Sequence, residues 1–532
     1  MERHDAIVIG AGLNGLTAAA TLARAGLGVL VLDRNAAPGG LSASHEIAPG
    51  FRLPRYLLGA GGLPARLVAD LDLARHGLRF VRAEGGVTLF PDGRHHAGYR
   101  DGAVHRREIA RFSRRDADAW TRYRRDMLRA ARLLRPRLET AAELPVTRGF
   151  KALKARLGLA DGLAAMEAGR LRDTLDLWTL SAAEFLDTYF ESDIVKVHLA
   201  AAAMMGGTLG PLSPGSAGRL LTPWLATGGD AAGGAPDILL PHGGSAALTA
   251  TLVAVIEAHG GRLRMEAEVT DVAMKDRKAR GVILANGEEI AAGAVLSGLD
   301  LKRSFLSLFQ WKDLPQGLVG RVGRFRMKGA TAKINLALDG TPEFPALPEG
   351  CPALAGGLRL AGSMDGMQRA FDDWRAHMPP RDPLIEVLIP SLSDATIAPA
   401  GCHVLSALVQ YVPQTLHDGA WTAERRDALG DLVVARLEAA SPGLAGRIVA
   451  RDVVLAADLE NEIGLTAGDI AHGEATLDQM FVNRPLPGTG GYDTPVRNFY
   501  VCSPSAHPGP LMPGQAGANA AARVLALHRK RG

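Results

Sequence analysis

A mixed α/β fold organised around a parallel sheet is predicted for this chain by three observations. The first is the stretch "DAIVIGAGLNGLTAAATLARAGLGVLVLD", Asp5 to Asp33. In it an apolar run (Ala6 to Ile9) meets Gly10, Gly12 and Gly15, passes through a small-residue helix, and emerges in a second apolar run (Val29 to Leu32) closed by an acid. The second is a glycine turn, amphipathic helix and short β runs between Leu239 and Asp300. The third is length: 532 residues exceed what one core usually fills, so two domains, interleaved or separate, are expected. Hydrophobic residues make up 47% and aromatics 5%, so Ala, Leu and Val must fill the core, and the chain is globular.

Each part of the N-terminal unit has a physical task. Gly10 permits the tight turn, Gly12 lets the backbone approach a pyrophosphate, and Gly15 lets the helix pack closely on the sheet. The helix N-terminus, with Leu13 and Asn14 in its first turn, offers free amides and partial positive charge to phosphates. Asp33 stands where a carboxylate can hydrogen-bond ribose hydroxyls, with Arg34 beside it. A dinucleotide is therefore the expected ligand. The pair Gly39 and Gly40, followed by Leu41, points to FAD, because in flavoproteins of the glutathione reductase and amine oxidase type such a pair lies near the FAD pyrophosphate. No second glycine fingerprint of this kind follows in the sequence. Without a nicotinamide domain, a flavin would be reoxidised by oxygen, a quinone or another diffusible acceptor, or would cycle without net redox change.

Lys plus Arg (60) barely exceed Asp plus Glu (56), and a net charge of +4 gives no electrostatic case for nucleic acid. Arginine is nevertheless crowded, at helical spacing, between Arg100 and Arg172. A solvated helix face is the ordinary reading; contact with an anionic membrane surface or substrate is the alternative. Cys351, Cys402 and Cys502 lie far apart, without disulfide, CxxC or zinc spacing. That fits a reducing compartment, argues against a dithiol reductase, and leaves no metal site expected. No apolar stretch approaches the roughly 18 residues of a membrane span, and the N-terminus enters a strand without a basic leader. A cytoplasmic protein, at most peripheral to a membrane, is expected; a homo-oligomer stays open.

Further along, a helix is expected over about Ala246 to Ala258, followed by β runs with a hairpin turn at Asn286 and Gly287. This resembles the second nucleotide-side segment of flavoproteins of the glutathione reductase and amine oxidase type, and the resemblance implies that the strand around Glu268 and Val269 presents backbone to the adenine and that "VLSGLD", with Ser297, returns the chain towards the flavin. The chain ends in "FYVCSPSAHPGPLMPGQAGANAAARVLALHRKRG", a strand, a proline- and glycine-rich turn and an alanine-rich helix.

With "VIGAGLNGLTAAATLARAGLGVLVLDR", "GPLSPGSA", "PHGGSAALT", "GATAKINLAL", "DLENEIGLTAGDIAHGEATLDQMF" and this last stretch, the sequence resembles the phytoene desaturase-like flavoproteins, in the branch of the pyridine nucleotide-disulphide oxidoreductase domain proteins. The resemblance implies a Rossmann-type FAD-binding domain of the glutathione reductase/amine oxidase kind, discontinuous over 1–85, 236–305 and 455–532. An inserted α+β substrate domain would occupy 86–235 and 306–454. It also implies flavin-mediated making or breaking of C=C bonds in a small apolar or amphipathic substrate. An amine oxidase, a non-redox isomerase or hydratase using reduced FAD, and a non-catalytic flavin-binding scaffold are the rival readings.

On this resemblance the helix after Pro513 points its N-terminus, with Gly514, Gln515 and Ala516, at the pyrimidine end of the flavin, where free amides stabilise developing charge. His507 just before it is the candidate base, or else an imidazole that binds backbone and shapes the turn. His472 and Glu474 are expected near the flavin face and the substrate entrance. Lys333 falls on a strand of the substrate domain and is the analogue of the lysine that amine oxidases place near N5. Arg484 is a candidate for an anionic substrate group. Trp178, Trp224, Trp311 and Tyr411 are expected in the core more than in the substrate wall. This chain departs from its relatives in the last turn, where Ser503, Pro504, Ser505, Pro510, Leu511 and Pro513 replace a glycine-rich sequence; the site should be more enclosed and poorer in amide donors there.

Overall fold

Four consecutive buried residues, Ala6 to Ile9, sit in the strand Arg3–Ile9 because it lies inside a parallel sheet covered on both faces. It pairs parallel with Val29–Leu32 on one side and with Glu289–Ser297 on the other. Arg262–Arg264 extends the sheet beyond Val29–Leu32, and Phe499–Val501 joins Glu289–Ser297 in parallel. Two antiparallel strands, Val269–Lys275 and Lys278–Leu284, complete seven strands. The computed structural model describes residues 3–58, 63–142, 175–226, 233–236 and 238–529.

The second sheet also has seven strands, in the order Ile448–Val454, Thr331–Leu338, His403–Gln410, Ile385–Leu388, Leu358–Leu360, Val87–Leu89 and His95–Ala97. Its strands come from both sides of the 238–297 segment in the chain. Val87, Leu358, Ile385 and Val387 join Leu429, Val433 and Leu437 of the helix Ala423–Ala440 in one apolar cluster.

The helix expected over Ala246–Ala258 spans Gly244–Ala258. The hairpin at Asn286 and Gly287 exists, but only Gly287 has positive φ there, and Leu284 N donates to Glu288 O at 2.9 Å across a three-residue loop. The two-residue turn with both φ values positive is instead Asp276 and Arg277, φ 53° and 57°, between Val269–Lys275 and Lys278–Leu284. A residue pair without glycine gives no sequence signal for such a turn. Trp311 is 71% exposed, so it belongs neither to the core nor to a substrate wall. Tyr411 is buried, its hydroxyl donating to Leu209 O, and Trp178 packs edge-on against Phe481.

The described part of the arginine-rich segment forms the helices Gly102–Ala110 and Arg114–Leu138. The longer one buries Trp120, Tyr123, Met127 and Ala131, and several of its arginines are used within the protein: Arg135 donates to the carbonyls of Trp224 and Leu225, and Arg122 to that of Thr188. The portion from 143 to 172 lies outside the described residues. Among the described residues no helix is long and apolar enough to cross a membrane.

The helix Leu13–Arg24, on the first sheet, is crossed by the last helix, Gln515–His528. Contact is closest at Gly517, where an added Cβ would lie 2.0 Å from the Asn14 carbonyl oxygen. Gly517→Ala should therefore force the two helices apart and lower stability by about 1–3 kcal/mol, read as a lower denaturant midpoint with an unchanged slope.

Candidate functional site

Along the carboxyl edge of the first sheet runs a cleft of about 330 Å³, lined by Gly10, Gly12, Leu13, Asn14, Gly15, Asp33, Arg34, Gly39, Gly40, Leu41 and Val269 among others. Gly10 takes φ +95°, and an added Cβ on Gly15 would meet the Gly10 carbonyl oxygen at 2.1 Å. Gly12 differs: its φ of −73° suits any residue, and an added Cβ would meet nothing within 4 Å. It is glycine because the space beyond it must stay open, as a cleft that admits a pyrophosphate requires. Gly39 N donates to Ala11 O at 2.9 Å, and an added Cβ on Gly40 would lie 3.3 Å from Gly12 Cα, so the glycine pair closes over the glycine turn. Asp33 Oδ2 accepts from Ala11 N at 2.7 Å, while Oδ1 accepts from the backbone and side chain of Asn35.

The opposite wall comes from the far end of the sequence. Pro504, Gly509, Pro510 and Pro513 line the cleft, as do Ile463, Gly464, Leu465, Ile470 and His472. Leu511 points elsewhere, into the helical core. Gly514 caps the last helix with φ +76°, while Gln515 and Ala516 are buried behind the lining, Gln515 donating to Asn519. Ser297 too lies behind it, its hydroxyl paired with Ser304 at 2.8 Å, and the adjacent Gly298 reaches the surface of the cleft.

The residues proposed for chemistry are not brought together. Lys333 is fully buried on a central strand, and its Nζ donates to Pro54 O and Asn335 Oδ1, both at 2.8 Å. Burial pushes its ammonium well below the ordinary value. It ties the second sheet to the chain leaving the hairpin Ser44–Pro54 and does not line the cleft. Glu474 is held by Arg326 at 2.5 Å, with Lys328 at 3.8 Å, also away from the lining. His507 lies behind the wall; its Nε2 bonds to Arg137 O at 2.9 Å, and burial pushes it down to about 4. That geometry matches the imidazole that binds backbone and shapes the turn. His472 alone of the four lines the cleft, with Nδ1 buried and unpartnered and its pKa pushed down to about 3 by burial and then by Arg484.

Arg484 organises this wall. It is fully buried, and its guanidinium donates to six carbonyls, those of Ala471, His472, Gly473, Glu474, Gln479 and Pro504. With its donors spent on backbone, it has none left for the substrate anion expected from the sequence. Asp469 completes the support by accepting from Lys328 N, Ala471 N and Gly473 N. Sequence reading missed Asp300 and Arg303, which also line the cleft. Asp300 accepts from Thr466 N and Oγ1 and so joins the two walls, while Arg303 leaves a buried Nε without a partner. The only sequence signals were the acid ending "VLSGLD" and the segment "NEIGLTAGD" opposite it.

A second cavity, of about 380 Å³, adjoins the second sheet. Leu57 lines the cleft and Leu58 this cavity, so the chain at that point separates the two. Trp224 lies in its wall.

A family model for NAD(P)-binding Rossmann-like domains matches residues 8–62. Over most of its length the chain is 34% identical to pyridine nucleotide-disulfide oxidoreductase domain-containing protein 2 of Rattus norvegicus, a match covering 97% of this chain and 92% of that protein. The chain belongs to that protein's family. A phytoene desaturase of Cercospora nicotianae is 28% identical over 77% of the chain and 61% of its own length. Among solved structures, an oxidoreductase from Methanosarcina mazei matches with a TM-score of 0.56 and 18% identity over 98% of this chain and 99% of that one. Cyclohexylamine oxidase from Brevibacterium oxydans matches with a TM-score of 0.57 and 15% identity over 99% of each chain. The fold is thus that of the Rossmann-type oxidoreductases, in a family of flavin type. Within it, the three cysteines of this chain are all unpaired, and burial pushes the Cys502 thiol up to about 12.

Two expectations follow from this geometry. Gly12→Ala should leave the fold and its apo melting temperature unchanged while abolishing retention of the bound dinucleotide; Gly15→Ala should lower the melting temperature of the apo protein as well. The second concerns acid. His472 and His507 have folded values of about 3 and about 4 against an ordinary 6.5. Below that ordinary value the unfolded chain binds protons that the folded rings refuse, so their stabilising contribution is complete above it and is lost as pH falls towards the folded values. Asp469, pushed up to about 6 by burial, acts in the opposite sense below that pH and offsets part of the loss. The melting temperature should fall between about pH 7.5 and about pH 5, with a shallower slope in His507→Gln.

Proposed function

We propose that this protein is an FAD-dependent oxidoreductase that removes hydride and a proton from adjacent carbons of an apolar or amphipathic substrate, leaving a C=C bond. The observation that carries the reading is the cleft itself, where the N-terminus of Leu13–Arg24 and the proline turn leading into the last helix form opposite walls around an open Gly12, next to a separate aromatic-walled cavity. The residues fit FAD: Gly12 leaves room for a pyrophosphate, Asp33 sits at the end of the second strand for ribose hydroxyls, and Arg303 offers an unused buried donor. When bound, FAD supplies the hydride acceptor.

The chain's own groups then have separable tasks. The amides at the start of Leu13–Arg24 hold phosphate charge. The partial positive charge at the start of the last helix, behind Pro513, acts on negative charge developing at the far end of the cofactor site. Pro504, Pro510 and Pro513 bring rigid, donor-poor backbone to the wall. His472, neutral at pH 7, orients by hydrogen bonding rather than storing a proton, so the substrate proton passes to water. The second cavity is the substrate chamber.

Anaerobic stopped-flow mixing with candidate substrates tests this: bleaching of the oxidised flavin, with appearance of a desaturated product, is expected. Turnover without bleaching, and only after prior reduction, would replace it with a non-redox isomerase or hydratase. A purified protein without flavin would defeat both.

A further inference from the structure

The second cavity carries a charge pattern that a chamber for a neutral hydrocarbon does not need. Neighbouring strands of the second sheet place polar residues in one cross-strand row: His96 opposite Thr88, Thr88 beside Arg359, and Arg359 opposite Glu386. The flanking Val87, Leu89, Leu358 and Ile385 belong to the apolar cluster on the other side, as strand alternation requires. The polar row faces the helix Asp193–Met204, whose His198 meets Thr88 Oγ1 through Nδ1 at 2.9 Å.

Among the described residues, four polar atoms in the wall of this cavity are buried without hydrogen-bond partners: Arg359 Nε and Nη1, His105 Nε2 and Thr222 Oγ1. Arg359 is 5% exposed, and its Nε makes an ion-pair contact with Glu386 Oε1 at 2.8 Å that leaves Nη1 unused. His105 is 1% exposed; its Nδ1 accepts from Tyr99 N, which leaves the ring proton on Nε2 as a free donor. The other cation of the lining, Arg219, spends Nε and Nη2 on the carbonyls of Ala203 and Met205. Burial pushes His105 and His198 down, so both rings are neutral at pH 7. Among the described residues, the lining then holds two guanidinium groups and one carboxylate, that of Glu386. An uncompensated buried cation is costly unless an anion joins it. A guanidinium with an unused donor suits a carboxylate, and the neighbouring Trp120, Tyr123 and Trp224 suit an apolar tail.

We propose that this cavity binds a carboxylate-bearing amphipath, such as a fatty or polyenoic acid, its head on Arg359 Nη1 with His105 and Thr222 as further donors and its tail along the aromatic wall. The assignment rests on reading this cavity as the substrate chamber, and it names the class of substrate.

Binding is read as the change in intrinsic tryptophan fluorescence of the holoprotein, in which Trp120 and Trp224 stand in the cavity wall, titrated at neutral pH with decanoate, 1-decanol and decylamine. Decanoate should bind about tenfold or more tightly than 1-decanol, and decylamine no better than the alcohol. The paired substitution Arg359→Gln with Glu386→Gln, which removes both charges and leaves no lone carboxylate, should reduce the acid preference to about twofold or less. Arg115→Gln, on an exposed surface pair with Glu191, should retain it. Equal affinity for acid and alcohol, a preference for the amine, or an acid preference that survives in the paired variant would overturn the assignment. If the paired variant does not fold, the wild-type series of three head groups decides. Acid discrimination without flavin reduction by any bound acid would uphold this assignment and sink the hydride-transfer reading. Equal reduction by acid and alcohol would do the reverse.

Discussion

The closeness of Gly517 to Asn14, with room for no Cβ between them, is the contact on which the rest of the site depends. It locks the last helix across the first, so that both present their N-termini on the same side of the first sheet. Two such ends repel unless negative charge lies near them, and the cleft is where that charge belongs. The strand Phe499–Val501, added in parallel to Glu289–Ser297, fixes the height at which the chain enters its final turn. The turn then has to cross the cleft before Gly514 starts the helix.

Around that frame the wall is made rigid from behind. Arg484 gathers six carbonyls from 471–479 and 504, and Asp469 takes three amides from the same region. A charged side chain spent wholly on backbone stiffens loops that carry little regular structure of their own. Arg484 and Asp469 also partly compensate each other in a setting where either alone would be costly. The prolines at 504, 510 and 513 give this wall fixed backbone.

The nucleotide half of the site was legible because its determinants are local: Gly10, Gly12, Gly15 and Asp33 fall within one strand, turn, helix and strand, and their spacing reports their geometry. The turn before the last helix was legible as a wall but not residue by residue, since nothing local distinguishes Pro510, which lines the cleft, from Leu511, which enters the core. His507 and Lys333 looked available as isolated letters. Their partners, the Arg137 and Pro54 carbonyls, are backbone atoms far away in the chain, and sequence spacing says nothing about them. The row His96, Thr88, Arg359 and Glu386 was hidden for the same reason: each residue is a single polar letter in a short strand, and only the register of distant strands makes them neighbours.

If the two ends of the chain build one flavin site, the dinucleotide released on denaturing the freshly purified protein, once identified and quantified, is FAD, equimolar with the chain. Release of NAD or NADP in its place would mean that they do not.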